Sequence, residues 1–258
     1  MAQACLLGPP LEPVCSTSKR TPTPPNHRAT VVIMPSIKLS YFDIEGFAEK
    51  VRLTLAITDT TFEDCRISRE EWPTLKETMP FGQVPYMEVT EDDGNKLSFA
   101  QSAAMMRWVA RKFDKTGTLY PADANASIDI EQMIGLSDDM QRTWVPAQYM
   151  GMGLHKKFGH PEEFPQKPEV VKALREAFLA EELPKYMNFL TKTLEKTGAF
   201  LCGANITIAD LQWLAQLRYY TKGVADHVPA DSLDKYPAVV AWMSRCYEVP
   251  QIKKWYNM

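Results

Sequence analysis

The sequence predicts an α/β domain over residues 35–114, followed by an all-helical domain over residues 126–258. Three observations support this fold class. The 258 residues are 45% apolar, which is enough for two small domains with hydrophobic cores. The first part alternates between strand and helix patterns, whereas the second shows helical spacing and no convincing strand. The residues between them, 115–125, contain Gly117 and Pro121 and are typical of a linker.

Residues 1–34 differ in composition from the rest of the chain. They hold six prolines among serines, threonines and small residues, and such a stretch buries too little apolar surface to fold alone. Lys19, Arg20 and Arg28 are accompanied by a single acid, which is compatible with an organelle-targeting segment. The alternatives are a disordered extension and a protein that starts at Met34.

The α/β part opens with a strand, a helix and a second strand. Residues 37–42 alternate apolar and polar side chains, as a half-buried strand does. Residues 43–46 predict a turn, and residues 48–57 then place apolar side chains at helical spacing. Residues 61–67 predict the second strand.

A loop, a hairpin and a helix complete the α/β part. Residues 79–85 are rich in residues that break helices and strands. Two short strands, 86–90 and 96–99, flank the segment Glu-Asp-Asp-Gly-Asn, which indicates a hairpin. Ser102 then begins a helix that ends near Phe113.

The second half is predicted to be helical from the spacing of its apolar side chains. The first long helix of this half carries a stripe formed by Ile130, Met133, Ser137, Met140 and Trp144. Further helices are expected over residues 168–196, 207–221 and 237–248.

The composition excludes several classes of function. A net charge of -3 gives no sign of a nucleic-acid partner, and no apolar run is long enough to predict a membrane span. The five cysteines form no CxxC pair and the four histidines no HExxH motif. We therefore expect no metal site, and reduced thiols in a cytoplasmic compartment.

Tyr41 stands at the end of the first strand, where a phenol can donate a hydrogen bond to an anion beyond that strand. A thiol reacts as its thiolate, and its ordinary pKa is about 8.5. A positioned donor stabilises the thiolate and lowers that pKa, while a phenol with an ordinary pKa of about 10 stays protonated. Tyr41 is therefore the candidate for thiol activation. The alternative is an ordinary core or surface tyrosine.

Two features of the α/β part suit an extended peptide that ends in a carboxylate. The loop before the hairpin can carry a cis peptide bond at Val84–Pro85 and expose the backbone of Val84 for strand-like pairing. Gln101 and Ser102 begin a helix, whose free N–H groups attract a carboxylate. The alternatives are a trans loop proline and a simple helix cap.

Trp72 and Lys76 supply a possible site for a second carboxylate. They lie four residues apart, so they face the same side if they share a helical turn. The alternative is a partly buried tryptophan beside a solvated lysine. Together with a thiol near Tyr41, these features describe a binding site for glutathione.

With these residues the chain resembles the glutathione transferases, and the sigma class most closely, over residues 36–258. The matching segments are 38–42, Gly46, Ala48-Glu49 with Arg52, Glu71-Trp72-Pro73 with Lys76, 80–85 and Gln101-Ser102. Residues 205–211 are similar to the helix-start motif of the family. Thr207 and Asp210 form a capping box there, so we expect this motif to be structural.

The resemblance implies a thioredoxin-like domain followed by a helical domain, in a homodimer, with glutathione as co-substrate and no metal. It implies that Tyr41 activates the thiol. It assigns the binding of glutathione to Trp72, Lys76, Gln83, Val84, Pro85, Gln101 and Ser102. Asp139 is the best match for an aspartate that reaches the glutathione of the neighbouring subunit. The alternative for this aspartate is a solvated helix face, with Asp138 paired to Arg142.

Phe47 is a departure from the family, because many sigma members have an arginine at this position near the thiol. Phe47 cannot assist the thiolate, although it adds apolar surface. We expect the thiolate to attack a small apolar electrophile held near Phe42, Phe47, Met140 and Trp144. The alternatives are a glutathione-dependent isomerase such as a prostaglandin D synthase, which the loss of the arginine disfavours, and a non-enzymatic ligand-binding relative like the lens crystallins.

Overall fold

The computed structural model describes residues 35–165 and 167–258, and the expectations for residues 1–34 lie outside the described residues. The elements of the first part are β1 (Ser36–Phe42), α1 (Glu49–Ile57), β2 (Glu63–Ile67), α2 (Trp72–Lys76), β3 (Tyr86–Thr90), β4 (Lys96–Ala100) and α3 (Ser102–Phe113). The predicted order of strand, helix, strand, hairpin and helix is confirmed. The limits of the two domains stay predictions, because all residues from 35 onward belong to one compact unit.

The four strands form one mixed sheet in the order β2-β1-β3-β4. β1 runs parallel to β2, while β3 runs antiparallel to both β1 and β4. Ile37, Leu39 and Tyr41 alternate along β1 and are almost fully buried on one face of the sheet. The helices α1 and α3 cover this face with Val51, Leu55, Met105 and Val109.

The second part consists of helices around a larger core. They are α4 (Ala124–Gly151), α5 (Lys167–Ala177), α6 (Leu183–Thr197), α7 (Ile208–Leu217), α8 (Pro237–Tyr247) and α9 (Pro250–Trp255). All five residues of the predicted stripe on α4 are buried, so this prediction is confirmed. No helix within residues 35–165 and 167–258 is both long and apolar enough to cross a membrane.

The helix predicted over residues 168–196 is divided in the structure. A π-helical turn, Phe178–Glu182, joins α5 to α6. Pro184 stands in the first turn of α6 and lacks the N–H that would continue the ladder of an unbroken helix. The π turn accommodates this break, which helical spacing alone does not reveal.

The helix-start motif at α7 has the structural role that the sequence predicts. Thr207 and Asp210 form a capping box, in which the backbone N–H of Thr207 donates to the Asp210 carboxylate over 2.8 Å. The same carboxylate accepts from the backbone N–H of Leu201 and from Nε1 of Trp242, each over 2.9 Å. Asp210 therefore ties the start of α7 to α8 and to the preceding loop.

The sheet part and the helical part pack against each other through α1, which contacts α7 and α9. Lys50 of α1 donates from Nζ to Oε1 of Gln212 over 3.1 Å. Burial lowers the pKa of Lys50 to about 8, although the nearby carboxylate of Asp138 opposes this shift. In addition, Nε1 of Trp255 donates to the carboxylate of Glu49 over 2.9 Å.

Candidate functional site

The strand ends that carry the predicted site residues meet at one edge of the sheet. Ser40, next to Tyr41, pairs with Tyr86 of β3, and Tyr86 pairs with Ala100 of β4. Because β3 is antiparallel to both of its neighbours, the end of β1, the start of β3 and the end of β4 coincide. The structure therefore brings Tyr41, the loop before β3 and Gln101 together, as the sequence predicts.

Tyr41 is buried, with 5% of its surface exposed, and its hydroxyl meets the loop that follows β1. The phenol oxygen accepts a hydrogen bond from the backbone N–H of Phe47 over 3.2 Å. Gly46 makes this close approach possible, because a Cβ atom there would lie 2.6 Å from the phenol oxygen. An amide N–H can only donate, so the hydroxyl hydrogen of Tyr41 stays available for another acceptor.

Burial raises the pKa of the Tyr41 phenol above its ordinary value. The N–H of Phe47 and the positive charge of Arg52 offset part of this shift. Arg52 is fully buried, with its guanidinium carbon 5.8 Å from the centre of the Tyr41 ring. The phenol is therefore held in its protonated, donating form at neutral pH.

The helix α2 is attached to the site through aromatic contacts. The ring of Phe42 lies 5.5 Å from that of Tyr41 and 5.4 Å from that of Trp72, the latter in an edge-to-face arrangement. Trp72 and Lys76 are the first and last residues of α2, so they lie in one helical segment, as their joint binding of a carboxylate requires. The side chain of Lys76 packs against the loop before β3: its Cε lies 3.6 Å from the position that a Cβ atom would take at Gly82.

The loop before β3 has the geometry expected of a peptide-binding segment. The Val84–Pro85 bond is cis, as predicted. Within the described part of the chain, neither the backbone N–H nor the C=O of Val84 makes a hydrogen bond. Nε2 of Gln101 donates to Oε1 of Gln83 over 3.3 Å, which joins this loop to the start of α3.

Gln101 has a φ angle of 72°, a region that residues other than glycine rarely occupy. Such strained residues cluster at functional sites. In the described part of the chain, neither the side chain of Gln101 nor the hydroxyl of Ser102 accepts a hydrogen bond from a backbone N–H at the start of α3. The simple helix cap is therefore not observed, and the first N–H groups of α3 are left for another acceptor.

Asp139 lies on an exposed part of α4, with 52% of its side chain exposed, and forms an ion pair with Arg142. The pairing of Arg142 with Asp138, which belongs to the alternative interpretation of this helix face, is wrong. The carboxylate of Asp138 instead accepts from Nε2 of Gln212 over 2.9 Å. Asp138 faces α7 and is thereby turned away from Arg142.

Met140 and Trp144 do not face an open site in the structure. Met140 is 0% exposed and Trp144 is 2% exposed, and the Trp144 ring packs on those of Phe178, Tyr219 and Tyr220. Helical spacing shows that the stripe is buried, but it does not show what covers it. The expectation that these two residues line an electrophile site is corrected, because they are core residues of the helical part.

The residues that do lie near the Tyr41 hydroxyl are mostly apolar or aromatic. Phe47 is 40% exposed and Phe42 is half-buried. Tyr149 of α4 is close enough to Tyr41 to raise the pKa of its phenol electrostatically, and no local sequence pattern indicates this proximity. In the described ranges, no group of three or more His, Cys, Asp or Glu side chains is arranged to hold a metal ion.

A four-stranded mixed sheet with a cis proline before its third strand, followed by a helical part, is a thioredoxin-like fold joined to a helical domain. Residues 37–111 match the family model of the glutathione S-transferase N-terminal domain, and residues 154–258 match that of the C-terminal domain. A probable glutathione S-transferase 5 of Caenorhabditis elegans is 32% identical over 230 residues, which cover 86% of this chain and 96% of the relative. The chain belongs to the glutathione S-transferase family and is a transferase.

Two solved structures place the chain within this family more closely. The prostaglandin synthase D of Nilaparvata lugens is 28% identical, with a TM-score of 0.68 over 86% of this chain and 97% of that protein. The sigma-class glutathione S-transferase of Fasciola hepatica is 25% identical, with a TM-score of 0.67 over 86% of this chain and 96% of that protein. The resemblance to the sigma class is therefore confirmed.

Proposed function

We propose that the protein activates the thiol of glutathione with the hydroxyl of Tyr41 and conjugates the thiolate to small apolar electrophiles. One observation carries the assignment of Tyr41. Its oxygen already accepts from the N–H of Phe47, so its own hydrogen must point to a different acceptor. A sulfur at the sheet edge is such an acceptor, and donation to it stabilises the thiolate.

The remaining contacts hold the peptide part of glutathione. The free backbone groups of Val84, framed by Gln83 and the cis Pro85, pair with the peptide as an added strand would. The start of α3, with Gln101 and Ser102, takes one carboxylate. The other carboxylate goes to the indole N–H and ammonium of α2, on Trp72 and Lys76.

The electrophile lies beside the thiolate, against the exposed ring of Phe47 and the rings of Phe42 and Tyr149. These groups supply apolar surface and no cation, which favours uncharged aromatic or aliphatic electrophiles. No metal or tightly bound organic cofactor is required, because the phenol alone stabilises the anion. The biological role of such a reaction is the removal of reactive electrophiles.

The substitution Tyr41→Phe tests the proposal. We expect kcat/KM for conjugation to fall about 10²–10³-fold, as when a single oxyanion donor is removed, while glutathione still binds. The matched control is Tyr236→Phe, since the buried hydroxyl of Tyr236 makes no hydrogen bond within the described residues. Full turnover in Tyr41→Phe would contradict the role of Tyr41. Glutathione binding without any turnover in the wild type would favour a ligand-binding relative.

A second candidate is a glutathione-dependent isomerase, which the similarity to a prostaglandin synthase D favours. It uses the same thiolate but a different substrate site. Turnover of an aryl halide should be compared with turnover of a prostaglandin endoperoxide. Faster turnover of the endoperoxide would select the isomerase.

We further propose a homodimer in which Asp139 reaches the glutathione amine of the neighbouring subunit. Apolar side chains are exposed on the loop before β3, on the edge strand β4 and on α4, namely Phe81, Leu97 and Ile128. Such groups are available for a subunit interface. Sedimentation at several concentrations tests this proposal. A monomer throughout, with unchanged glutathione affinity in Asp139→Asn, would contradict it.

We also propose that the protein works in the cytoplasm. Cys65, Cys202 and Cys246 carry free thiols, which is the usual state in a reducing compartment. Microscopy of the tagged full-length chain tests this location, and accumulation in an organelle would contradict it.

A further inference from the structure

Glu45 links the loop that follows β1 to the helical part of the protein. Its carboxylate accepts from Nη2 of Arg218 over 3.0 Å and from Nε of Arg218 over 3.3 Å, and it also pairs with Lys222. Burial alone would raise the pKa of Glu45, but these two cations hold it below its ordinary value. The Arg218 side chain is only 14% exposed, so this ion pair is better shielded than most surface pairs.

Arg218 is itself fixed by the C-terminal segment. Its guanidinium carbon lies 3.6 Å from the centre of the Tyr256 ring, which is a close cation–π contact. Its Nη1 donates to the hydroxyl of Tyr247 over 3.1 Å. Arg218 is therefore a rigid partner for Glu45. It holds the loop after β1 although the two residues are about 170 positions apart in the sequence.

The loop that Glu45 anchors is the one that touches the Tyr41 hydroxyl. Nη1 of Arg52 holds it from beneath, by donating to the carbonyl of Ile44 over 2.9 Å and to that of Glu45 over 3.1 Å. Two residues after Glu45, the backbone N–H of Phe47 donates to the phenol oxygen. Arg66 also donates from Nη1 to the carbonyl of Ile44 over 3.3 Å. The carboxylate of Glu45 is therefore one of several anchors that fix the position of this N–H, and it is the one that ties the loop to the helical part.

We propose that Glu45 is a positioning residue, whose ion pairs with Arg218 and Lys222 hold the N–H of Phe47 against Tyr41 and so direct the hydroxyl hydrogen of Tyr41 to the glutathione sulfur. This inference rests on the proposed function of Tyr41. Glu45 does not touch the reacting atoms in this arrangement. It acts through the loop, and it couples the C-terminal segment to thiol activation.

The charge of Glu45 and its positioning role change the pKa of the bound glutathione thiol in opposite directions, which makes the inference testable. Removal of the carboxylate leaves Arg218 and Lys222 as unpaired cations near the site, and cations favour a thiolate. If charge alone mattered, the pKa of the bound glutathione thiol would fall. If Glu45 positions the loop, its removal misaligns the Tyr41 hydroxyl and the pKa of that thiol rises.

The experiment uses the full chain with Glu45→Ala, and with Glu248→Ala as the matched control. Glu248 forms an exposed ion pair with Lys253 in the same C-terminal region and has no link to the loop. The pKa of bound glutathione is read from the ultraviolet absorbance of its thiolate, alongside the pH profile of kcat/KM. In Glu45→Ala we expect a higher thiol pKa and a kcat/KM lower by roughly twofold to thirtyfold at neutral pH. The control should match the wild type in both.

A lower or unchanged thiol pKa in Glu45→Ala would overturn the inference, whatever the effect on stability. If Glu45→Ala does not fold, the isosteric Glu45→Gln is measured instead, with the same expected direction and the same contradicting result. Failure of the proposed function has a different signature. In that case Tyr41→Phe leaves turnover and thiol pKa as in the wild type.

Discussion

Tyr41 and Asp210 are both buried polar side chains, but their hydrogen bonding differs. The carboxylate of Asp210 accepts from two backbone N–H groups, a hydroxyl and an indole N–H. The hydroxyl of Tyr41 accepts from one backbone N–H and keeps a hydrogen with no protein acceptor among the described residues.

This difference separates structural from functional polar groups. Buried polar atoms are costly unless they are paired, so a group whose capacity is fully used stabilises the fold. A group that is held rigidly at the sheet edge where the site residues meet, and that keeps an unused hydrogen-bond donor, is available to a ligand. Substitutions at the first kind of group should therefore change stability, and those at the second kind should change activity.

The largest expected effect on stability is that of Asp210→Ala. The backbone donors of Leu201 and Thr207 and the indole of Trp242 would be left buried without an acceptor, each at about 1–3 kcal/mol. We expect the free energy of unfolding to fall by about 3–5 kcal/mol, measured by urea denaturation, with normal activity per folded molecule. The control is Asp92→Ala in the exposed hairpin turn. If Asp210→Ala lost no more stability than Asp92→Ala, the hydrogen bonds of Asp210 would not stabilise the fold as proposed.

Lys50 is intermediate between Asp210 and Tyr41. Its ammonium group is buried, and its hydrogen bond to Gln212 and the nearby carboxylate of Asp138 offset only part of the cost of burying the charge. Its pKa is about 8 in the folded protein, so between pH 8 and pH 10.5 the unfolded chain binds more protons than the folded one. The stability of the wild type should therefore rise with pH relative to Lys50→Met, by about 2–3 kcal/mol up to pH 10. Denaturation curves at several pH values test this, with Lys38→Met as an exposed control. Parallel curves for wild type and Lys50→Met would exclude a destabilising charge at this site.

Gly46→Ala should have a selective effect on activity. Gly46 has a φ angle of 44°, where an L-residue costs about 1–2 kcal/mol, and its new Cβ would press on the phenol oxygen of Tyr41. Gly94→Ala is the matched control, since Gly94 has a φ angle of 84° and open space around it. We expect the larger loss of stability in Gly46→Ala, because its Cβ overpacks the buried Tyr41 ring whereas the Cβ of Gly94→Ala meets open space. Only Gly46→Ala should lose conjugating activity, and equal activities would argue against the contact with Tyr41.

Local patterns in the sequence predict the fold and much of the site. Alternation and turn residues locate β1 and the hairpin, and strand ends bring Tyr41, Val84 and Gln101 to one edge. Helical spacing predicts that the stripe on α4 is buried, but not which surface covers it, and Met140 and Trp144 therefore lie in the core of the helical part and not at the expected electrophile site.

Contacts between distant segments could not be predicted from the sequence. The ion pair of Glu45 with Arg218 joins residues far apart in the chain, and neither segment carries a motif that names the other. The electrostatic effect of Tyr149 on the pKa of Tyr41 likewise links α4 to the end of β1. Such contacts follow from the packing of whole helices and not from local spacing.

The most direct measurement is the pKa of the glutathione thiol when it is bound to the wild-type protein, titrated through the ultraviolet absorbance of its thiolate. A positioned phenol predicts a value at least one unit below the ordinary thiol pKa of about 8.5, and a return toward that value in Tyr41→Phe. The same pKa for free and bound glutathione would contradict the account.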